Sequence, residues 1–216
     1  MESVKRASPQ AQKEQLRRIG VLGGTFDPIH IAHLAVAEEA RTQLGLDKVI
    51  FVPAGLPPHK MDVHVSPAEH RLAMVELAIA GNPHFEVSRV DIDRFGPCYT
   101  VDTIALLREE WGPDVEIDFI MGSDSLADLL TWHQPDRLIR LCRIVAVGRP
   151  GYRVDMDELE RWLPGVSQRV LFINSPQLDV SSSDIQRRAR AGESIKYQVP
   201  EAVERYIYEH GLYRDT

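Results

Sequence analysis

The sequence predicts an α/β fold built around a central, mainly parallel β-sheet. Short apolar runs rich in β-branched residues alternate along the chain with segments whose apolar residues recur about every 3.6 positions. This alternation is typical of strand–helix–strand units, in which crossover helices join parallel strands. Because 44% of the 216 residues are hydrophobic, the chain can bury one sizeable core.

Six apolar runs are predicted to be strands, because each is short and lies between helix-patterned segments. In chain order they are IGVLGG from Ile19, KVIFVPAG from Lys48, HFEVSRVDI from His84, VEIDFIMG from Val115, RIVAVG from Arg143 and RVLFINS from Arg169.

The segments between these runs have a helical period and are predicted to be the crossover helices. In order they are IAHLAVAEEARTQLG, PAEHRLAMVELAIAG, TVDTIALLREEW, DSLADLLTW with PDRLIRLC, DMDELERWL and SDIQRRARAG. A final helix is predicted in PEAVERYIYEHGLY, where Pro200 suits a first helical turn and Gly211 suits a C-cap. We expect this last helix to close one side of the sheet.

The chain is predicted to form a single domain over residues 19–216. Residues 1–18 carry five basic and two acidic residues and show no hydrophobic periodicity. Such a segment is expected to be a mobile tail or a short extra helix. No linker, internal repeat or low-complexity tract divides the remainder.

Charge and cysteine content limit the classes of partner. The net charge of −7 argues against nucleic-acid binding through a basic surface, although a local site for a small anion remains compatible with it. No apolar run approaches the roughly 18 residues that span a bilayer, so no membrane partner is expected. Cys98 and Cys142 are isolated, which suggests neither a zinc site nor a disulfide framework and makes the cytoplasm the expected compartment. Homo-oligomer formation is left open.

The stretch GGTFDPIHIAHLAVAEEA, residues 23–40, predicts a strand, a tight turn and a helix N-terminus. Gly23 and Gly24 allow a ligand to approach the backbone closely, and the N–H groups at a helix N-terminus favour an anion. A phosphate group is therefore the expected ligand. The stretch matches neither the GxGxxG fingerprint of dinucleotide-binding proteins nor the GxxxxGK motif of P-loop proteins, so a different nucleotide site is needed.

His30 and His33 stand three residues apart, which places both side chains on one face of a helix. We favour contact of both imidazoles with the bound phosphate. Ligation of a metal and a purely structural role at the helix start are the alternatives.

A second anion site is predicted where SSS, residues 181–183, follows a strand and opens a helix that carries several arginines. The alternative is a capping box, with Ser183 as N-cap and Gln186 at the third helical position. Both interpretations are compatible with each other. The longest irregular segment, residues 53–66, is a further candidate for ligand binding.

These motifs resemble those of nucleotidyltransferases with an HxGH-type signature, and more closely the bacterial nicotinate-nucleotide adenylyltransferases. GGTFDPIHIAHL, PPHK, YTVDTI, MGSDSLADLLTWHQ, VSSSDIQRRARAG and VPEAVERYIYEHGLY match that family in order and spacing from about Ile19 to Tyr213. The resemblance implies a Rossmann-like three-layer nucleotidyltransferase fold. It also implies transfer of the adenylyl group of ATP, with Mg²⁺, to nicotinate mononucleotide.

The resemblance implies roles for particular residues. His30 and His33 would be catalytic and contact the ATP phosphates. Further ATP contacts would come from Gly23, Gly24, Thr25, Phe26, Ser181, Ser182, Ser183 and Arg187. The mononucleotide would be bound by Asp27, Lys60, Tyr99, Thr100, Asp124, Trp132 and His133, with Trp132 stacked on the pyridine ring.

For several of these residues an ordinary structural role remains an alternative. Asp27 is equally suited to capping the following helix or to lying near the metal. Lys60 is either a phosphate contact or a solvated surface lysine, and Trp132 is either a stacking residue or a core tryptophan. Asp124 is either a nucleotide contact or a partner of the helix dipole.

Three positions depart from the family pattern. Gln186 stands where the family usually has arginine, and Ser183 and Ala32 replace its usual threonine and glycine. Arg187 cannot simply substitute, because one step along a helix rotates a side chain by about 100°. Two other functions therefore stay open: an adenylyltransferase acting on nicotinamide mononucleotide or a phosphopantetheine-type acceptor, and an inactive module that binds adenine nucleotides.

Overall fold

A computed structural model describes residues 18–56, 65–148 and 154–214. Its sheet has six strands in the order β3-β2-β1-β4-β5-β6, and every pairing between them is parallel. The predicted α/β fold with a parallel sheet is therefore confirmed.

The strands coincide with the six predicted runs, apart from their ends. They are β1 (Arg18–Gly24), β2 (Lys48–Pro53), β3 (Phe85–Val87), β4 (Glu116–Gly122), β5 (Arg143–Val147) and β6 (Val170–Ile173). The third is much shorter than predicted. The chain leaves the sheet after Val87, and in the segment that follows, the buried carboxylate of Asp91 accepts a hydrogen bond from Thr103 Oγ1 at 2.7 Å.

The helices also lie where the helical periodicity predicts them. They are α1 (Ile31–Leu44), α2 (Ala68–Ile79), α3 (Thr100–Trp111), α4 (Ser123–Ala127), α5 (Pro135–Leu141), α6 (Met156–Trp162), α7 (Ser182–Arg190) and α8 (Glu201–Glu209). Short 3₁₀ turns cover Leu129–Thr131 and Val166–Gln168. The predicted helix DSLADLLTW is thus split into α4 and the first of these turns.

The sheet has a hydrophobic cluster on each face, which gives three layers. Residues of α3, α4, α5 and α6 pack on one face of the sheet, and residues of α1, α2, α7 and α8 pack on the other. Neighbouring strand residues alternate between the faces, as Val21 and Leu22 of β1 show. The last helix closes one side of the sheet, as expected.

The boundary between tail and domain needs one correction, because Arg18 belongs to the sheet. Its guanidinium contacts the fully buried carboxylate of Asp118 on β4 at 3.0 Å, so an uncompensated buried charge is avoided. The rest of the predicted tail, residues 1–17, lies outside the described residues.

The strand order changes direction between β1 and β4. From β1 the chain moves first towards β2 and β3, and then crosses to β4 and continues to β6. In open α/β sheets, ligands bind at the carboxyl ends of the strands at such a switch point. Gly24 ends β1 and Gly122 ends β4, so the predicted phosphate-binding turn lies at this crevice.

Candidate active site

The turn after β1 has little room for any residue other than glycine at position 24. A Cβ atom there would come within 2.9 Å of the Phe26 ring. That ring is buried, lies edge-on to the imidazole of His33 with 5.1 Å between ring centroids, and also packs near Phe51. Phe26 itself has a φ angle of +50°, which is uncommon for a bulky residue. The side chain of Phe26 therefore supports His33, and the backbone of the turn faces the crevice.

His30 and His33 lie together at the start of α1, as their spacing predicts. His30 is the N-cap residue and is 6% exposed, whereas His33 is half-buried. Their rings stack with 3.7 Å between centroids. The backbone N–H of His30 donates to Nδ1 of His33 at 3.2 Å, which assigns the proton of a neutral His33 to Nε2. Nε2 of His33 is therefore a hydrogen-bond donor.

The second predicted anion site adjoins the first. The hydroxyl of Ser182 donates to the carbonyl of Pro28 at 2.9 Å, which joins the start of α7 to the turn before α1. Ser181 is the N-cap of α7, and its Oγ accepts from the N–H of Asp184. The capping box predicted with Ser183 and Gln186 is therefore wrong, because the helix begins two residues earlier.

Gln186 and Arg187 make different contacts, as the rotation between neighbouring helical residues requires. The amide nitrogen of Gln186 donates to the carbonyl oxygen of Asp27 at 2.6 Å. The side chain of Arg187 is 52% exposed, and its guanidinium pairs with Glu193 and Asp184, which raise its pKa. These contacts favour a surface ion-pair role for Arg187 over the predicted ATP contact.

Asp27 is a buried residue, 4% exposed, with both carboxylate oxygens engaged by the protein. Oδ1 accepts from the hydroxyl of Tyr213 at 2.7 Å, and Oδ2 accepts from the backbone N–H of Ser66 at 2.9 Å. Asp27 does not cap α1, since His30 is the N-cap residue and both carboxylate oxygens of Asp27 are bound by Tyr213 and Ser66. The contacts of Asp27 favour support of the turn over direct binding of the acceptor phosphate.

Arg71 connects the same turn to two further segments and was not predicted as a site residue. It is 1% exposed and donates to the carbonyls of Ser66, Thr25 and Gly55 at 2.9, 2.8 and 3.1 Å. Burial lowers the pKa of Arg71, and the negative charge of Asp27 opposes this shift. No local pattern marks Arg71 or Tyr213, because their partners are distant in sequence.

The residues predicted to bind the pyridine ring lie together beside the crevice. Trp132 follows the 3₁₀ turn at Leu129–Thr131 and is half-buried, with its ring 6.2 Å from that of Phe119. His133 stacks at a tilt on Tyr99, with ring centroids 4.4 Å apart. Tyr99 is also the N-cap of α3, so Thr100 is the first residue of that helix.

A buried side-chain network supports Tyr99 from behind and was likewise not predicted. Arg94 donates to the carbonyl of Tyr99 at 3.3 Å and to Asp91 Oδ1 at 2.9 Å. Thr103 also donates a hydrogen bond to Asp91, and burial raises the pKa of this carboxyl group. The N-terminus of α3 is therefore held in place by residues of the loop that precedes it.

Of the two remaining predicted residues, the structure describes one and not the other. Asp124 lies in the first turn of α4, directly after the carboxyl end of β4 at the switch point. Lys60 lies outside the described residues. Within residues 18–56, 65–148 and 154–214, no group of three or more His, Cys, Asp or Glu is placed to hold a metal ion, and no helix is long and apolar enough to cross a membrane.

These features define a class of protein. A doubly wound parallel sheet opens a crevice at its switch point, and two helix N-termini with stacked histidines and serine hydroxyls line that crevice. This arrangement is typical of nucleotide-binding α/β proteins.

Comparisons with known proteins define the class further. Residues 21–188 match the family model described as Cytidylyltransferase-like. The chain is 50% identical over 199 residues to a protein of Thermomicrobium roseum named "Probable nicotinate-nucleotide adenylyltransferase", with 92% of each chain covered. A protein of Moorella thermoacetica with the same name is also 50% identical over 199 residues, covering 91% of this chain and 92% of its own.

Among solved structures, the Plasmodium falciparum nicotinic acid mononucleotide adenylyltransferase complexed with NaAD has a TM-score of 0.74 at 21% identity. It covers 91% of this chain and 97% of its own, and it confirms the predicted Rossmann-like nucleotidyltransferase fold. The chain belongs to the cytidylyltransferase-like family and, within it, to the nicotinate-nucleotide adenylyltransferases. The resemblance noted in the sequence is therefore confirmed.

Proposed function

We propose that this chain transfers the adenylyl group of ATP to nicotinate mononucleotide, giving nicotinate adenine dinucleotide and pyrophosphate in NAD biosynthesis. The names of its relatives support this reaction. The observation that carries the proposal is the stacked pair of His30 and His33 at the start of α1, next to the N-terminus of α7. The cytoplasm is the compartment that we propose, since Cys98 and Cys142 are isolated in the sequence.

The reaction requires the protein to position two substrates and to stabilise charge. An oxygen of the acceptor phosphate forms a bond to the α-phosphorus of ATP, and the bond from that phosphorus to the bridging oxygen breaks. Pyrophosphate leaves with the electron pair. Because a phosphate monoester is already anionic near neutral pH, no general base is required. The protein must hold two anions in line and stabilise the charge that develops on the leaving group.

The histidine pair and the adjoining helix N-termini fit this task. His33 donates from Nε2 to an ATP phosphate, since its Nδ1 accepts from the backbone of His30. His30 lies against it and shares the same phosphates. Backbone groups of Gly23 to Phe26, the hydroxyl groups of Ser181 and Ser183 and the backbone N–H of Ser182 provide the remaining ATP contacts that we propose.

The acceptor side provides a flat surface for the pyridine ring. We assign stacking on the pyridine ring to Trp132 and binding of the ring carboxylate to Tyr99, Thr100 and His133, which is supported by the contact of His133 with Tyr99 at the start of α3. We assign Asp124 to the nucleotide and Lys60 to a phosphate of the substrates. We propose that Mg²⁺ binds together with ATP, because this ion usually binds through substrate phosphates and keeps several of its water ligands.

The proposed function is tested by pyrophosphate release with Mg-ATP and one acceptor at a time. Nicotinate mononucleotide, nicotinamide mononucleotide and phosphopantetheine are compared at equal concentration. We expect fast release with the nicotinate form, because N–H donors at the ring carboxylate would reject the amide. Phosphopantetheine offers no aromatic ring to Trp132 and should be inactive.

Two results would contradict the proposal. Faster pyrophosphate release with another acceptor would identify that acceptor, and not nicotinate mononucleotide, as the substrate. ATP binding without release under all three acceptors would favour the nucleotide-binding module, in which Gln186 and Ala32 accompany a lost activity. Mg-ATP with the protein and no acceptor is the blank for each assay, because it measures pyrophosphate release that does not depend on adenylyl transfer.

A further inference from the structure

Asp27 is held at three of its atoms by elements that are remote from it in sequence. Tyr213, 186 residues away, donates to Oδ1, and Ser66 donates its N–H to Oδ2. Gln186, 159 residues away, donates its amide to the backbone carbonyl oxygen. The two sides of the turn are therefore fixed independently, one from the C-terminal segment and one from α7.

We propose that Tyr213 and Gln186 are positioning residues for adenylyl transfer: by holding the carboxylate and the carbonyl of Asp27, they set the turn that orients His30 and His33. This inference rests on the proposed function, since the reaction defines what the histidines must be oriented towards. Neither residue contacts a substrate in this role.

The turn needs such support because its own backbone is unfavourable. Phe26 has a positive φ angle, a conformation that bulky residues adopt only when their surroundings impose it. Asp27 lies only three positions before His30, so a displacement of Asp27 shifts the cap of α1 directly. A misplacement of about 1 Å can lower a rate by roughly 10²-fold.

The hydroxyl of Tyr213 is suited to a permanent bond. Burial raises the pKa of Tyr213, and the neighbouring charge of Asp27 raises it further, so the hydroxyl stays protonated and donates across the neutral range. Tyr213 also has a φ angle of +68°, which shows that the surrounding structure holds this C-terminal residue in place.

The amide of Gln186 acts together with a second bond from the same helix face. Ser182 lies one helical turn before Gln186, and its hydroxyl donates to the carbonyl of Pro28. Two consecutive carbonyls of the turn therefore accept hydrogen bonds from α7. Glutamate has the shape of glutamine but no N–H donor, and its charge would repel the Asp27 carbonyl.

The test uses Tyr213→Phe, Gln186→Glu and the double variant in the full chain. Tyr197→Phe is the matched control for the hydroxyl, since Tyr197 is 81% exposed, and Gln168→Glu is the matched control for the amide at an exposed position. For each protein, kcat and both KM values are measured by pyrophosphate release, together with the thermal unfolding midpoint and the Kd for Mg-ATP.

We expect each single variant to lower kcat about tenfold, with KM for nicotinate mononucleotide changed less than about twofold. The double variant should lose less than the product of the two single losses, because both residues act on the same turn. The control variants should keep the wild-type kcat.

A purely structural role predicts a different pattern, namely a lower unfolding midpoint with unchanged kcat and unchanged Kd in the folded protein. That pattern would overturn the proposal. If Tyr213→Phe does not fold, Gln186→Glu alone decides by the same criteria. A wild-type protein that releases no pyrophosphate would overturn the proposed function. The Kd for Mg-ATP would then decide whether Tyr213 and Gln186 position the turn. Weaker binding by the variants would support positioning of the turn, and unchanged binding would contradict it.

Discussion

The two sides of the crevice are built in different ways. The side that we propose for ATP consists of backbone atoms and buried side chains, with Asp27, His30 and Arg71 almost completely enclosed. The acceptor side consists of half-exposed rings such as Trp132 on short elements, including a helix of five residues and a 3₁₀ turn of three. The first side is cross-linked by hydrogen bonds between distant segments, whereas the second combines ring packing with a more local hydrogen-bond network of Asp91, Arg94 and Thr103.

This difference follows from what each side has to do. Reaction at phosphorus depends on the direction and distance of approach, so the groups around the ATP phosphates must be held closely. A pyridine ring is bound by stacking, which tolerates small displacements in the plane of the ring. Substitutions on the ATP side should therefore change kcat, and those on the acceptor side should change KM.

The largest effect is expected for His33→Ala. Its Nε2 donor is lost, so kcat should fall by roughly 10²-fold or more while the fold survives. The measurement is steady-state pyrophosphate release with both substrates varied. His84→Ala is the matched control, because His84 is exposed before the amino end of β3 and lies away from the carboxyl ends of the strands.

Near-normal turnover of His33→Ala would remove the central role that we assign to the histidine pair. In that case the ATP side would stabilise charge through helix N–H groups alone. Loss of folding would instead indicate that the contact between His33 and Phe26 is needed for stability.

A smaller effect is expected for Trp132→Ala, on a different kinetic constant. Removal of an aromatic ring that stacks on a base costs about 1–3 kcal/mol, so KM for nicotinate mononucleotide should rise at least about fivefold. KM for ATP should change less than about twofold. Trp162→Ala, an exposed tryptophan on α6, is the matched control.

The outcome of Trp132→Ala also tests the alternative of a core tryptophan. A loss of cooperative unfolding would show that the ring is needed against Phe119, which lies 6.2 Å away. Equal rises in both KM values would show that the two sides of the crevice are coupled rather than separate.

The sequence predicted the strands and the α-helices of the described fold, although not its two short 3₁₀ turns, because helical and strand patterns are local. The third strand was predicted too long, since the apolar residues of SRVDI follow a strand pattern while Asp91 is bound by Thr103, twelve residues later. The start of α7 was placed two residues late, because each of three consecutive serines suits an N-cap. A bond from Ser182 to Pro28, 154 residues away, fixes its position.

The same distinction applies to the site residues. His30 and His33 were predicted because their spacing on one helix is sufficient to bring them together. Arg71 and Tyr213 were missed because their roles depend on partners that are 46 and 186 residues away. Gln186 was noticed only as a departure from the family pattern, and its contact with the carbonyl of Asp27 depends on tertiary structure.

The smallest effect is expected for Arg187→Ala, although this residue lies on the helix that adjoins the ATP side. Its guanidinium is half-exposed and bound to Glu193 and Asp184, so contact with ATP would first require breaking two ion pairs. Surface ion pairs contribute about 0–1 kcal/mol, so stability should hardly change, and kcat/KM for ATP should fall less than about threefold. The measurement is steady-state pyrophosphate release with ATP varied, with Arg161→Ala as an exposed control on α6. A tenfold rise in KM for ATP would contradict this expectation. It would show that Arg187 leaves its carboxylate partners when ATP binds, and that the ATP side includes a mobile surface cation as well as its buried framework.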